Sequence, residues 1–313
     1  LVDFEAVDFD GYASGTGILR GVFGDFQADA RLSVKDFEFQ HGRMGALYAE
    51  VDWNKDEKQI DIHAIADDGE EAKTYIDGYV SPERNYIDLG IRADGTYLDF
   101  AHSFSESFIS TIDGHGSGAV RLIGPLDAIN LTGELVLNGT AHVKTLGCTY
   151  EMRNDTLRMV PNEIVFAHCP IYDIHGNEGM MTGGIHHQEL TNLTYDIYVN
   201  TRKLMAYDFP DFGDEYFYGT VFVDGQAAIH GRDGEVRIEA DVVPLKNSVF
   251  VYNASTPDVI TDQEFIQWGS VPGAQGTPNA LRIQKVKSEP DDFRSDLFMN
   301  IKVNANPDAA IRL

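Results

Sequence analysis

Residues 225–242 read GQAAIHGRDGEVRIEADV. Gly225 and Gly231 sit six positions apart, a short polar turn follows, and then Val236, Ile238, Ala240 and Val242 alternate with charged residues. Apolar residues at every second position mark a strand with one buried face, and glycine supplies the backbone freedom that the turn and its flanks need. The same spelling recurs. GAVRLIGPLDAINLTGEL at 118–135 repeats the glycine pair 107 positions earlier, with Ile129 and Leu131 at the offsets of Val236 and Ile238. GTGILRGVFGDFQADARL at 15–32 carries Gly15 and Gly21, then Phe26, Ala28, Ala30 and Leu32 at the matching offsets, and GYVSPERNYIDLGIRA at 78–93 is a looser version with a longer turn. The unit is strand, turn, strand. Its repetition points to one extended architecture rather than a single closed globule.

The rest of the chain reads the same way. Ile60, Ile62 and Ala64 alternate, as do Ile87, Leu89, Ile91 and Ala93, Leu193 to Val199, and Leu297 to Val303, with turn signals such as WNKDEKQ (53–59), RADG (92–95) and RNDT (153–156) between them. Two short stretches carry helical spacing: 102–112, with Phe104, Phe108 and Ile112, and 261–268, with Phe265 and Trp268 behind Thr and Asp capping signals. So few helices cannot cover a one-faced sheet, which must pack on a second sheet, close into a barrel, or curl over itself. The repeat favours the last. The expected fold is therefore all-β: an elongated, curled, antiparallel or mixed sheet of hairpin repeats with an apolar groove and one or two short helices. DGHGS at 113–117 is read as a break between an upstream block, 1–113, and a second block, 114–313, and the Gly/Pro-rich segment 269–291 as a loop or disordered insertion.

Fifty acidic against 24 basic side chains give a net charge of −26, which repels nucleic acid and anionic lipid head groups. The chain starts at Leu1 without an initiator Met, a signal peptide or a transmembrane run, and ends in what reads as a strand, so a piece of a longer protein is expected. Cys148 and Cys169 could be bonded in an oxidising compartment or could be two small buried side chains, and both readings stay open. No zinc spacing occurs. His168, His175, His186 and His187 with Asp173 lack the spacing of a helical metal site, and a strand sends His186 and His187 to opposite faces. The acidic run holding Asp208, Asp211, Asp214 and Glu215, and the loop at 52–59, resemble calcium sites only loosely. No ordered set of nucleophile, base and oxyanion donors is legible, so no enzymatic activity, no cofactor and no metal are expected.

The order of segments from 118 to about 268 resembles the C-terminal conserved domain of the TamB family, part of the AsmA-like group. The resemblance is carried by GAVRLIGPLDAINLTGEL, by VKTLGCTYEMRNDTLRMVPNEIVFAHCPIYDIHGNEGMMTGGIHHQELTNLTYDIYV, by FYGTVFVDGQAAIHGRDGEVRIEADV and by DQEFIQW. It implies a curled sheet called a β-taco, with an apolar groove, in a periplasmic protein anchored in the inner membrane of a two-membrane bacterium. It further implies outer-membrane biogenesis, by phospholipid transport between membranes or by outer-membrane protein assembly, with an Omp85-type barrel as partner. Membrane contact would run through parts of the parent protein that this chain does not contain. The family has no catalytic residues to carry over.

Acyl chains need a continuous apolar surface, since each buried CH₂ contributes about 0.8 kcal/mol. The expected groove residues are Leu122, Ile129, Leu131, Leu135, Leu137, Ile197, Val199, Ile229, Val236, Ile238 and Val242. The alternative function is a cell-surface β-sandwich that binds glycans or proteins through exposed aromatics such as Trp53 or Trp268, over a dry closed core.

Overall fold

The computed structural model describes residues 8–20, 27–69, 72–106, 108–188, 191–211, 217–232, 235–252, 296–304 and 310–312. The expected helix at 261–268, the segment 269–291, and Gly21, Phe26, Asp214 and Glu215 lie outside these residues. The hairpin pattern becomes a meander. Strands β1 (Phe9–Arg20), β2 (Gln27–Phe39), β3 (Gly42–Asn54), β4 (Gln59–Asp67), β5 (Lys73–Ser81) and β6 (Tyr86–Tyr97) follow one another. They continue as β7 (Ile109–Pro125), β8 (Asn130–Val143), β9 (Cys148–Val160), β10 (Glu163–Asp173), β11 (Glu178–Gln188), β12 (Thr191–Phe209) and β13 (Phe217–Arg232). Each of these thirteen pairs antiparallel with its neighbour in sequence.

The far edge is built differently. β14 (Glu235–Pro244) takes one half of β13 and β15 (Val249–Tyr252) the other. β16 (Asp296–Val303) then adds parallel to β14, and β17 (Ala310–Arg312) parallel to β15. The described residues thus form one long, open, curled mixed sheet, as expected from the alternation.

Register turns the alternation into a surface. Following paired residues from strand to strand gives Leu32, Ala49, Ala64, Ile76, Ile91, Val120, Gly133, Met159, Ile164, Ile185, Tyr195, Gly231 and Val236. No polar side chain interrupts this row across thirteen strands, from β2 to β14. The neighbouring row on the other face holds pairs such as Arg121–Asp88 at 2.6 Å and Arg158–Glu134 at 3.0 Å. Period two has therefore separated a greasy inner face from a salt-paired outer one.

The repeated glycines have a common task. Gly15, Gly118 and Gly225 pair with Leu32, Leu135 and Val242, each seventeen residues on. Gly118 (φ 148°) and Gly225 (φ 143°) lie where side-chain-bearing residues are strained, and a Cβ at either would fall 2.3 Å from the carbonyl oxygen of Glu134 or Asp241. The neighbouring backbone crosses this close because the sheet curls.

Two expectations are corrected. Residues 102–112 are not an α-helix: a short 3-10 helix covers Asp99–Phe104, and Ile109 already begins β7. The Ser105 hydroxyl lies 3.1 Å from the Ala101 carbonyl and 3.3 Å from that of His102, competing with helical continuation. The apolar spacing was met instead by separate contacts, Phe108 against Tyr195 and Ile109 within the sheet. Nor does the chain break at 113–117, where Asp113 to Ser117 run inside β7 and pair with Thr140 to Val136 of β8. The glycines there allow close strand approach, with Gly114 facing Gly139.

Gly225→Ala should lower stability by about 1–3 kcal/mol, the cost of a strained backbone plus a displaced strand. Gly17→Ala, whose Cβ would sit 3.7 Å from the nearest atom, should stay within about 0.5 kcal/mol of the parent in urea unfolding.

Candidate functional site: an apolar trough

Strand twist folds the inner face into a trough. At roughly 20–25° per strand step, five steps rotate β7 by more than 100° relative to β12, which carries its start across the sheet. There Phe108 meets Tyr195 with ring centroids 5.3 Å apart, beside Val236 and Ile238. Tyr195 in turn lies over Gly231, its register partner, where any side chain would collide with the ring. Deeper in, Leu157, Met159, Phe166 and Cys169 form a core with Val120, Leu131, Leu135 and Ile197 packed around it.

One end of the trough is latched. β12 breaks register between Thr201 and Leu204, where Lys203 takes φ 61°, and the strand swings so that Leu204 and Met205 are buried against Ile171, Val199 and Tyr150. The Tyr150 hydroxyl donates to the Met205 carbonyl at 2.9 Å, and the Asp208 amide donates to the Leu146 carbonyl at 2.9 Å. Asp173 holds this bend from below. Its Oδ1 accepts the amides of His175 and Asn177 at 2.9 Å, while Oδ2 accepts the Asn177 side chain at 2.9 Å and the Met205 amide at 2.8 Å. Burial alone would raise this carboxyl, but the four donors outweigh it and hold it below the usual carboxylate range.

The other end is wide. Residues at the ends of β7, β9 and β11 and the starts of β8 and β12 line a concavity of about 850 Å³, with Ile129, Asn130, Asn162, His186 and Asn192 among them. Ile129 therefore sits on the rim rather than in a strand. The other expected groove residues face inward. Leu122 pairs with Leu131, Ile197 with Ile229, and Ile229 with Ile238. Val199, Val236, Ile238 and Val242 are buried, whereas Leu122, Leu131, Leu135, Leu137, Ile197 and Ile229 are half-buried.

The inner face continues upstream of these residues. Val51, Ile62, Ile76, Leu89 and Ile91 are half-buried on it, and Leu32 is 43 % exposed. Their alternation was legible, but nothing in one sequence said that β2–β6 share a face with β7–β14. The register supplies that.

The cysteines do not face each other. Tyr150 pairs with Asp173 across β9 and β10, so Cys148 projects about six residues, or roughly 20 Å, beyond Cys169 along the pair. A disulfide needs Cα atoms within about 7 Å. Both are buried free thiols. Burial pushes Cys148 up to about 12 and also raises Cys169, so both stay protonated at neutral pH.

The histidines are spread over the sheet. His186 lies on the outer face, 3.6 Å from Asp196, which also pairs with His230, whereas His187 is buried. His175 lies tilted against Phe222, with ring centroids 5.5 Å apart, and His168 is exposed. Asp208 accepts the Thr220 hydroxyl at 2.6 Å rather than joining an acidic cage. Among the described residues no group of three or more His, Cys, Asp or Glu side chains is placed to hold a metal ion.

The geometry defines a class, an open β-gutter with an apolar lining and a polar back. Residues 172–312 match the family model described as TamB C-terminal domain, which supports the TamB assignment for this part of the chain. The match begins in β10 and runs through β17, further along the chain than the stretch from 118 to about 268 that carries the resemblance. No curated protein and no solved structure matches the chain. TamB-family proteins are bacterial envelope proteins with a role in outer-membrane assembly. No helix among the described residues is long and apolar enough to cross a membrane.

Asp173→Ala should cost about 2–4 kcal/mol, because it strands buried amides that now donate to a charged acceptor. The folded carboxyl titrates below its unfolded value near 3.9, so its contribution is fully present above about pH 4 and is lost as the pH falls through the folded value. Urea midpoints compared at pH 3 and pH 7 should show a smaller acid loss in Asp173→Asn than in the parent.

Proposed function

We propose that the trough carries phospholipid acyl chains between the membranes of a two-membrane cell, as the periplasmic part of a TamB-like protein. The observation behind this reading is the unbroken apolar row from β2 to β14, part of which the protein leaves unfilled. Twelve strand spacings of about 4.8 Å give roughly 60 Å of contour, so the surface extends well beyond one lipid. Each methylene withdrawn from water onto it contributes about 0.8 kcal/mol, while the charged head group stays at the polar rim. The route needs no reaction step, and no catalytic residue or cofactor enters it.

The open far edge, at β16 and β17, is a place for a further strand, from the parent chain or from an Omp85-type barrel partner. The rival sandwich needs a second sheet over a closed core, and the described residues form one sheet.

A photoreactive residue at Leu122 or Leu131, placed in the parent protein in cells, should capture phospholipid at least tenfold more strongly than one at Arg121 or Glu134, which point to the salt-paired face. Equal labelling on both faces would overturn the proposal.

A further inference from the structure

A second concavity lies on the opposite face, away from the trough. It is a cleft of about 760 Å³ across β1–β5. On β1–β4 the lining takes three consecutive residues each, with Gly15, Leu32, Ala49 and Ala64 as the middle ones, while the inward residues two positions off, such as Leu47, Val51 and Ile62, are not part of it. Tyr75 and Asp77 line it, but the intervening inward residue Ile76 does not. The cleft therefore runs between two outward rows. One row is Thr16, Arg31, Glu50, His63 and Asp77, and the other is Ser14, Ser33, Tyr48, Ile65 and Tyr75.

The two walls differ in chemistry. The first is a ladder of hydrogen-bonding groups: Arg31 pairs with Glu50 at 3.2 Å and His63 with Asp77 at 2.9 Å. These four side chains are all more than half exposed, at 79, 59, 62 and 69 %. Both donors and acceptors are thus presented to solvent, and each charge is already matched by a neighbour. The second wall is aromatic. Tyr48 is 53 % exposed, and Tyr75 lies two strands further on, about 10 Å away. Arg92 braces the Tyr75 ring with its guanidinium carbon 4.0 Å from the centroid.

We infer that this cleft binds a neutral, linear glycan lying across the strands. Four strand spacings make the cleft roughly 19 Å long, room for a short run of sugars. A pyranose has an apolar face of C–H groups and an equatorial belt of hydroxyls. Tyr48 and Tyr75 take the apolar face, and the Arg31–Glu50 and His63–Asp77 pairs take the belt, each pair offering a donor and an acceptor side by side. The balanced pairs and the net charge of −26 select against a polyanion. The inference does not depend on what fills the trough.

The test is a calorimetric titration of the whole chain with a soluble hexamer of β-1,4-linked N-acetylglucosamine. Saturable binding is expected, weakened at least tenfold in Tyr48→Ala and in Tyr75→Ala, and unchanged in Tyr198→Ala, an exposed outer-face tyrosine elsewhere on the sheet. Urea midpoints of the three variants should match the parent, which separates loss of contact from loss of fold. No binding at millimolar hexamer, binding indifferent to Tyr48 and Tyr75, or tighter binding of an extended peptide would overturn the inference. Lipid capture at Leu131 would be unaffected by Tyr48→Ala, so the two functions fail separately.

Discussion

The structure depends on one constraint: a sheet that is apolar on one side only has to hide that side, and the described residues hold almost no helix to hide it with. The solution is twist. Each strand step adds its share of rotation until Phe108, just before β7, meets Tyr195 of β12, and the inner face becomes its own cover around Leu157, Met159 and Phe166. Where the curl is tight, side chains must be absent, and Gly118 and Gly225 stand there. Where it is loose, across β2–β6, the lining stays accessible. A closed core and an open trough are thus two degrees of the same bending, set by where glycine permits neighbouring backbones to approach.

The latch at β12 shows how the bending is stopped. A sheet that kept coiling would close into a barrel and exclude any guest. The register break after Thr201, the buried Met205 and the fourfold acceptor Asp173 turn the strand instead and cap one end. Salt pairs on the back, such as Arg121 with Asp88, contribute little each to stability, since they are exposed. Their effect is to keep that face wet, so that the register has one low-energy choice.

Much of this was legible in the sequence, because period-two alternation and glycine spacing are local signals. The recurrence of Gly15, Gly118 and Gly225 with Leu32, Leu135 and Val242 seventeen positions on is visible in the offsets, as are most of the inward residues in β7–β14, and the register makes them partners. Non-local features were not legible. Helical spacing at Phe104, Phe108 and Ile112 was misleading because Phe108 belongs to a contact with Tyr195, 87 positions away. DGHGS looked like a break because glycines that admit a close strand are spelled like glycines that end one. A bond between the two cysteines stayed open in the sequence because sequence distance says nothing of slippage along a hairpin. The outer cleft between Tyr48 and the Glu50–His63 edge escaped notice for the same reason: its walls come from five strands.

The meander has a kinetic consequence. Through β13 every strand pairs with the one just made, so loop-closure entropy is small at each step and the sheet can zip from its first hairpin onward. Only β16 and β17 break this economy, joining in parallel to strands left behind more than fifty residues earlier. A chain delivered from one end would complete almost all of its gutter before that edge is sealed. Until then β14 would offer an unpaired flank to whatever else is present.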